Sequence, residues 1–165
     1  MTRAASDALD CPVCGIPLDA EIFDVSRVEA PPAVGQTLVL ARFDLPARYC
    51  GVLQRFQQFV GLADGPQPGV RTPGLEWSVR TDGRPLAPYT GFEFVLNAWG
   101  GDVFEVKIRL DEGARLEFVV RGVPPGPDPA VEYVGGRLAG RYWYNVLHGD
   151  VDRVKSAPWG AVRRA

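Results

Sequence analysis

The stretch that decides the fold reads FEVKIRL over residues 104–110, DEG over 111–113 and ARLEFVV over 114–120. Apolar and charged residues alternate with a period of two on both sides of the short connection, which turns one face of each strand to a core and the other to water. The connection ends in Gly113, a residue that readily adopts positive φ, and is typical of a hairpin. The stretch therefore predicts antiparallel β-strands.

Similar strand patterns recur at residues 36–45, 75–80, 92–96 and 131–144. The first range has apolar residues on both faces, as in a strand that is buried on both sides. Asp82-Gly83 follows the second range and is a specific signal for a tight turn. Pro85, Pro88 and Gly91 are expected to interrupt the chain before the third range. The last range is expected to hold two strands.

Residues 49–60 are the ambiguous segment of the chain. Val52, Phe56, Phe59 and Val60 fit the spacing of an amphipathic helix. The same residues can also be divided between the two faces of a strand. We favour the strand because the flanking segments are strands.

About seven to nine strands separated by turn signals predict an all-β protein, an antiparallel β-sandwich. The long irregular connections favour a jelly-roll or Greek-key order over a meander. We expect an irregular N-terminal arm at residues 1–35, the jelly-roll sandwich at residues 36–145, and a C-terminal tail at residues 146–165, where the periodicity is lost.

The bulk composition narrows the class of protein. The chain of 165 residues has a formal net charge of −2, which argues against broad binding to nucleic acid. No apolar run approaches the roughly 20 residues of a membrane span. The first ten residues lack the apolar core of a secretion signal, so we expect maturation in a cytoplasm. Three cysteines argue against a complete disulfide framework.

One motif has a chemical interpretation. Cys11 and Cys14, followed by Gly15, form half of a tetrahedral zinc knuckle. Cys50 and His148 are the only further soft ligands that could complete a zinc site within one chain. The alternatives are a site shared between copies, a redox pair, and two thiols or a local disulfide in an exposed arm.

General acid–base catalysis would have to use His148, the sole histidine. No nucleophile can be paired with it from the sequence, and no Gly-x-Ser-x-Gly motif is present. A cupin-like enzyme would hold its metal with several histidines. We therefore expect a polar loop histidine and no enzymatic activity.

Aromatic residues are concentrated in the second half of the chain. Exposed rings on a sandwich can form a platform for carbohydrate, because sugar faces stack on them. The alternative is that Trp77 fills the core while others lie at contacts between subunits. Trp99, Trp143 and Trp159 are the candidates for interfaces.

Three segments together resemble a known family of proteins. They read PxxYxGVL at residues 46–53, LxWxVxxDGRP at 75–85 and IxLDEGAxLEFVV at 108–120, with a crossover rich in glycine and aromatic residues at 91–101. This order is similar to that of the small single jelly-roll structural proteins of bacteriophage virions, of the decoration, spike-base or minor capsid type. The resemblance covers about half of the chain and concerns a fold, not an active site.

The resemblance implies a mechanical role in a virion. Copies of the chain would associate symmetrically as a homo-oligomer, and the arm would dock on other virion proteins, with no contact to nucleic acid or membrane. The chain would be made in the host cytoplasm. The competing hypothesis from another class is a carbohydrate-binding module with an aromatic sugar platform.

Overall fold

A computed structural model describes residues 16–64, 73–92 and 101–145. These residues form eight strands and no helix. The strands are β1 (Glu21–Glu29), β2 (Thr37–Asp44), β3 (Tyr49–Leu62), β4 (Leu75–Thr81), β5 (Arg84–Phe92), β6 (Gly101–Leu110), β7 (Arg115–Gly122) and β8 (Val131–Tyr144). The prediction of an all-β sandwich is confirmed, and so is the strand at residues 49–60.

The strands form two antiparallel sheets of four. Sheet I has the order β1-β8-β3-β6, and sheet II has the order β2-β7-β4-β5. This is the jelly-roll order, in which the first strand lies beside the last. Only β4 and β5 are consecutive and paired, through a turn with positive φ at Asp82 and Gly83. Every other connection between these strands crosses from one sheet to the other.

The predicted hairpin at residues 104–120 is wrong in its pairing. Its turn forms as expected, with Gly113 at φ 67° and the Ala114 amide donating to the Asp111 carbonyl at 3.1 Å. However, β6 belongs to sheet I and β7 to sheet II, so the two strands lie in opposite layers of the sandwich and do not pair with each other. Alternation shows which face of a strand is buried, and it is satisfied equally by two strands in one sheet or by one strand in each.

The core lies between the sheets and is rich in aromatic rings. Phe56 of β3 is completely buried and stacks on Phe104 of β6 at 4.7 Å between ring centroids. It also contacts Phe118 of sheet II, at 5.4 Å. Trp77 is buried beside Phe118, as predicted for a core tryptophan. Because these rings come from both sheets, they hold the two layers together.

Three strands differ from the sequence-based expectations. β2 is buried mainly on one face, and a bulge between Val39 and Ala41 turns the consecutive Leu40 and Ala41 inward. β5 runs through two prolines, which is tolerated because β5 is an edge strand among the strands that the structure describes. β8 is a single strand of 14 residues instead of two. Of the strand expected at residues 92–96, only residue 92 lies within the described range.

β1 belongs to the sandwich, whereas the sequence placed residues 21–29 in an arm ahead of it. It pairs with β8 over nine consecutive positions, and Phe23 stacks on Phe43 of sheet II at 4.2 Å. Polar and apolar residues are mixed on both faces of β1, which obscured its short apolar pattern. Residues 1–15 and 146–165, the rest of the expected arm and nearly all of the tail, lie outside the described residues.

Candidate functional site

Most of the residues singled out from the sequence lie outside the described ranges. These are Cys11, Cys14, Trp99, His148 and Trp159. Within residues 16–64, 73–92 and 101–145, no group of three or more His, Cys, Asp or Glu side chains could hold a metal ion. The zinc knuckle therefore stays a prediction.

Cys50 and Trp143 are the two candidates that the structure describes, and they lie opposite each other on β3 and β8. Cys50 is buried with a free thiol, and burial raises the pKa of that thiol. A raised pKa keeps a thiol protonated, which disfavours both nucleophilic attack and metal binding. Trp143 is half-buried near the end of its strand.

The outer face of sheet I carries an exposed apolar cluster that sequence reasoning missed. Val28, Phe59 and Tyr133 come from β1, β3 and β8, and we call them the apolar end of sheet I. Val28 is 54% exposed and Tyr133 is 45% exposed, while Phe59 is half-buried. Rings that are only partly covered leave apolar surface in water, and burying that surface would stabilise a contact by about 25 cal/mol per Å².

Two glycines make room for this cluster. A Cβ atom on Gly61 would lie 1.9 Å from the Tyr133 ring, so the ring lies directly over the backbone at Gly61. A Cβ atom on Gly135 would lie 2.7 Å from the Phe59 ring and 3.0 Å from Val28. The side chains therefore pack against the sheet itself. In each case an aromatic residue on one strand lies opposite a glycine on the neighbouring strand. This arrangement could have indicated the cluster from the sequence, but only if the register of β3 on β8 were known.

The middle of the same face is polar. Arg137 of β8 binds the Asp24 carboxylate of β1 through two nitrogens, with its Nε donating at 2.6 Å. This hydrogen bond lowers the pKa of Asp24 and raises the pKa of Arg137. Beyond the pair lies Ile22, which is 70% exposed. The outer face of β1 thus has an apolar residue at each end and a neutralised charge between them.

The outer face of sheet II is charged instead. Asp44 accepts hydrogen bonds from Arg42 and Arg115, each at 2.8 Å from a guanidinium Nε. These two bonds lower the pKa of Asp44, and the bond with Asp44 raises the pKa of Arg115. Glu117 of β7 lies in register between Arg42 and Arg80. Such a compensated charge pattern is typical of a face that stays in water.

β1 and β2 are edge strands on the same side of the sandwich. A groove of about 360 Å³ separates them, lined by Val25, Ser26 and Arg27 of β1 and by residues 39–42 of β2. Among residues 16–64, 73–92 and 101–145, β8 is the one strand that pairs with β1, whose other edge lies beside this groove.

A comparison with protein-family models gives no match, and neither does a comparison with curated protein sequences. Among solved structures, the chain is similar to the crystal structure of FLHE, at 14% identity over 76% of this chain and 100% of the other, with a TM-score of 0.38. It is also similar to dimeric latent PorU from Porphyromonas gingivalis, at 10% identity over 74% of this chain and 13% of the other, with a TM-score of 0.37.

A third similar structure is that of the infectious bursal disease virus Gx strain, at 14% identity over 84% of this chain and 36% of the other, with a TM-score of 0.40. At these TM-scores the similarities carry no argument about function. In the part of the chain that the structure describes, no helix has the length and apolarity needed to span a membrane.

Proposed function

We propose that this chain is a non-enzymatic structural protein of a virion, of the capsid decoration, minor capsid or spike- and portal-associated type, which works by associating with further copies of itself. The observation that carries the proposal is that the outer faces of the two sheets differ in polarity. Sheet I exposes Val28 and Tyr133, whereas sheet II presents a network of ion pairs around Asp44.

A contiguous exposed apolar cluster marks a contact with another protein. The glycines at positions 61 and 135 support this interpretation, because they keep the rings close to the sheet and leave a flat surface that a second protein can approach. In a symmetric assembly each weak contact is repeated, and the repeated contacts multiply in avidity. A jelly roll with one exposed apolar face can form the same contact at every position of such an assembly.

The mass of the protein in solution tests the proposal. We expect sedimentation equilibrium to show self-association at about 100 µM or below, in the affinity range of transient interfaces. The variant Tyr133→Ala should weaken it, while the matched control Arg80→Ala, on the outer face of sheet II, should not. A protein that stays monomeric throughout would contradict the proposal.

A carbohydrate-binding module is the second candidate, and one observation favours it. Phe59 and Tyr133 lie on neighbouring strands at the surface of sheet I, where aromatic rings could stack on sugar faces. Trp77 cannot take part, because it is completely buried. Binding of a polysaccharide by a monomer, lost in Tyr133→Ala or Trp143→Ala, would select the module over the virion protein.

A further inference from the structure

We infer that β1 pairs with β1 of a second copy, antiparallel and about a two-fold axis at Val25, so that two copies of sheet I become one continuous sheet. This inference rests on the proposed self-association and adds an edge contact to the contact made by the apolar end of sheet I. A strand edge has unpaired backbone N–H and C=O groups, and an unblocked edge is a template for another strand.

β1 is the least protected of the four sheet edges. β5 contains Pro85 and Pro88, which lack the N–H that a new ladder needs. β2 is interrupted by the bulge between Val39 and Ala41. β6 presents charged residues at alternate, exposed positions, which are Glu105, Lys107 and Arg109. β1 also has charged residues, but its outward positions are Ile22, Asp24, Ser26 and Val28, of which only Asp24 is charged and is bound by Arg137. β1 pairs regularly with β8 over all nine residues and contains no Pro, Lys or Gly.

The sequence of β1 is self-complementary in one register. With Val25 on the two-fold axis, Ile22 lies opposite Val28 of the second copy, and Asp24 lies opposite Ser26. Ile22 and Val28 are exposed in the single chain, at 70% and 54%, and the pair that covers them would form twice in the dimer. Moving the axis by one residue toward Asp24 would bring the two Asp24 side chains opposite each other, so the charges select the register as well.

The charges on β1 permit the approach of a second copy. Asp24 is bound by Arg137, and the Arg27 Nη2 lies 2.5 Å from the Glu29 carboxylate of its own strand. One unfavourable pair remains, because Glu21 would lie opposite Glu29 of the second copy at each end of the ladder. Both side chains are on the surface, so added salt should screen their repulsion and strengthen the pairing.

Cysteine cross-linking tests both the edge and the register. Opposed Cα atoms of antiparallel strands lie about 4.5–5.5 Å apart, within the range of a disulfide. In a background with Cys11→Ser, Cys14→Ser and Cys50→Ala, the double variant Ile22→Cys with Val28→Cys should give a covalent dimer under mild oxidation. The single variants should not, because each new thiol faces a residue other than cysteine. A double variant that cross-links no better than the singles would overturn the inference.

Sedimentation of two lysine variants provides the second measurement. Val28→Lys should raise the dissociation constant of the dimer about tenfold or more, since the charge enters the contact twice. Val103→Lys, at an exposed apolar residue on β6, is the matched control and should leave it within about twofold. An oligomer that resists Val28→Lys and gives no cross-link would refute the β1 contact while leaving self-association intact. A monomer at all concentrations would refute both.

Discussion

Adjacent glycines on β8 offer a sharp test of which face of this strand is buried. A Cβ atom at Gly136 would lie 2.6 Å from the Phe118 ring and 2.8 Å from the Leu40 Cβ, both in sheet II. A Cβ atom at Gly135 would meet the Phe59 ring, Val28 and the Arg27 carbonyl on the outer face, at 2.7, 3.0 and 3.2 Å. The same substitution, to alanine, therefore probes the core at one position and the surface at the next.

The expected free energies of unfolding differ for a physical reason. Overpacking a core costs about 1–3 kcal/mol, and replacing a strand glycine by alanine returns about 0.5–1 kcal/mol. Gly136→Ala should therefore lose about 1–2 kcal/mol, because Phe118 and Leu40 are completely buried and cannot move aside. Gly135→Ala should stay within about 1 kcal/mol of the wild type, since Phe59 and Val28 can shift toward solvent.

Urea unfolding followed by tryptophan fluorescence measures these differences. The denaturant m-value should be unchanged in both variants, so that the midpoints report stability alone. The thermal midpoint of Gly136→Ala should fall by roughly 2–4 °C per kcal/mol for a domain of this size. A Gly136→Ala variant as stable as the wild type, or less affected than Gly135→Ala, would mean that β8 does not present residue 136 to the core.

Three further predictions concern the core, a turn and the acid range. Phe56→Ala should lower the free energy of unfolding by about 3–5 kcal/mol, and Phe56→Leu by much less, because the Phe56 ring is buried against rings of both sheets; a loss below 1 kcal/mol on chemical denaturation would contradict the packing. Gly83→Ala should cost about 1–2 kcal/mol in the same assay, since residue 83 adopts φ 76° in the β4–β5 turn; a neutral effect would argue against that turn. Hydrogen bonds with arginines lower the pKa values of Asp24 and Asp44. The stabilisation that these two carboxylates give the folded state is therefore present above the ordinary aspartate pKa of about 4, and it is lost as the pH falls through the lowered values. Asp24→Asn should flatten this part of the pH–stability curve slightly, by well under 1 kcal/mol for a surface pair, and an unchanged curve would show that the pair contributes nothing.

The surface cluster shows the limit of prediction from sequence for the candidate site. Phe59 and Tyr133 lie on strands with apolar residues on both faces, so alternation could not say which of them point outward. The assignment depends on the register shift between Leu53 and Arg55 in the pairing of β3 with β8, because this shift changes which residues of β3 face the core from Phe56 onward. Cys50 and Trp143 could be chosen as candidates from their residue types alone. The sequence could not show that they are cross-strand neighbours, because β3 and β8 are far apart in the chain.

The sequence by itself determined that this protein is all-β, because alternation and Asp-Gly turn chemistry are local properties of the backbone. For residues 49–60 and for Trp77 it favoured the strand and the core position that the structure shows, but it left a helix and a surface ring as alternatives. Only the tertiary structure decided that β6 and β7 belong to opposite sheets, that β1 forms an edge of sheet I, and that Val28 and Tyr133 are exposed on the same outer face. The physical reason is that a buried face requires an apolar neighbour without specifying which one. That choice is made by pairings between strands far apart in the chain, which satisfy all the buried faces and backbone hydrogen bonds at once.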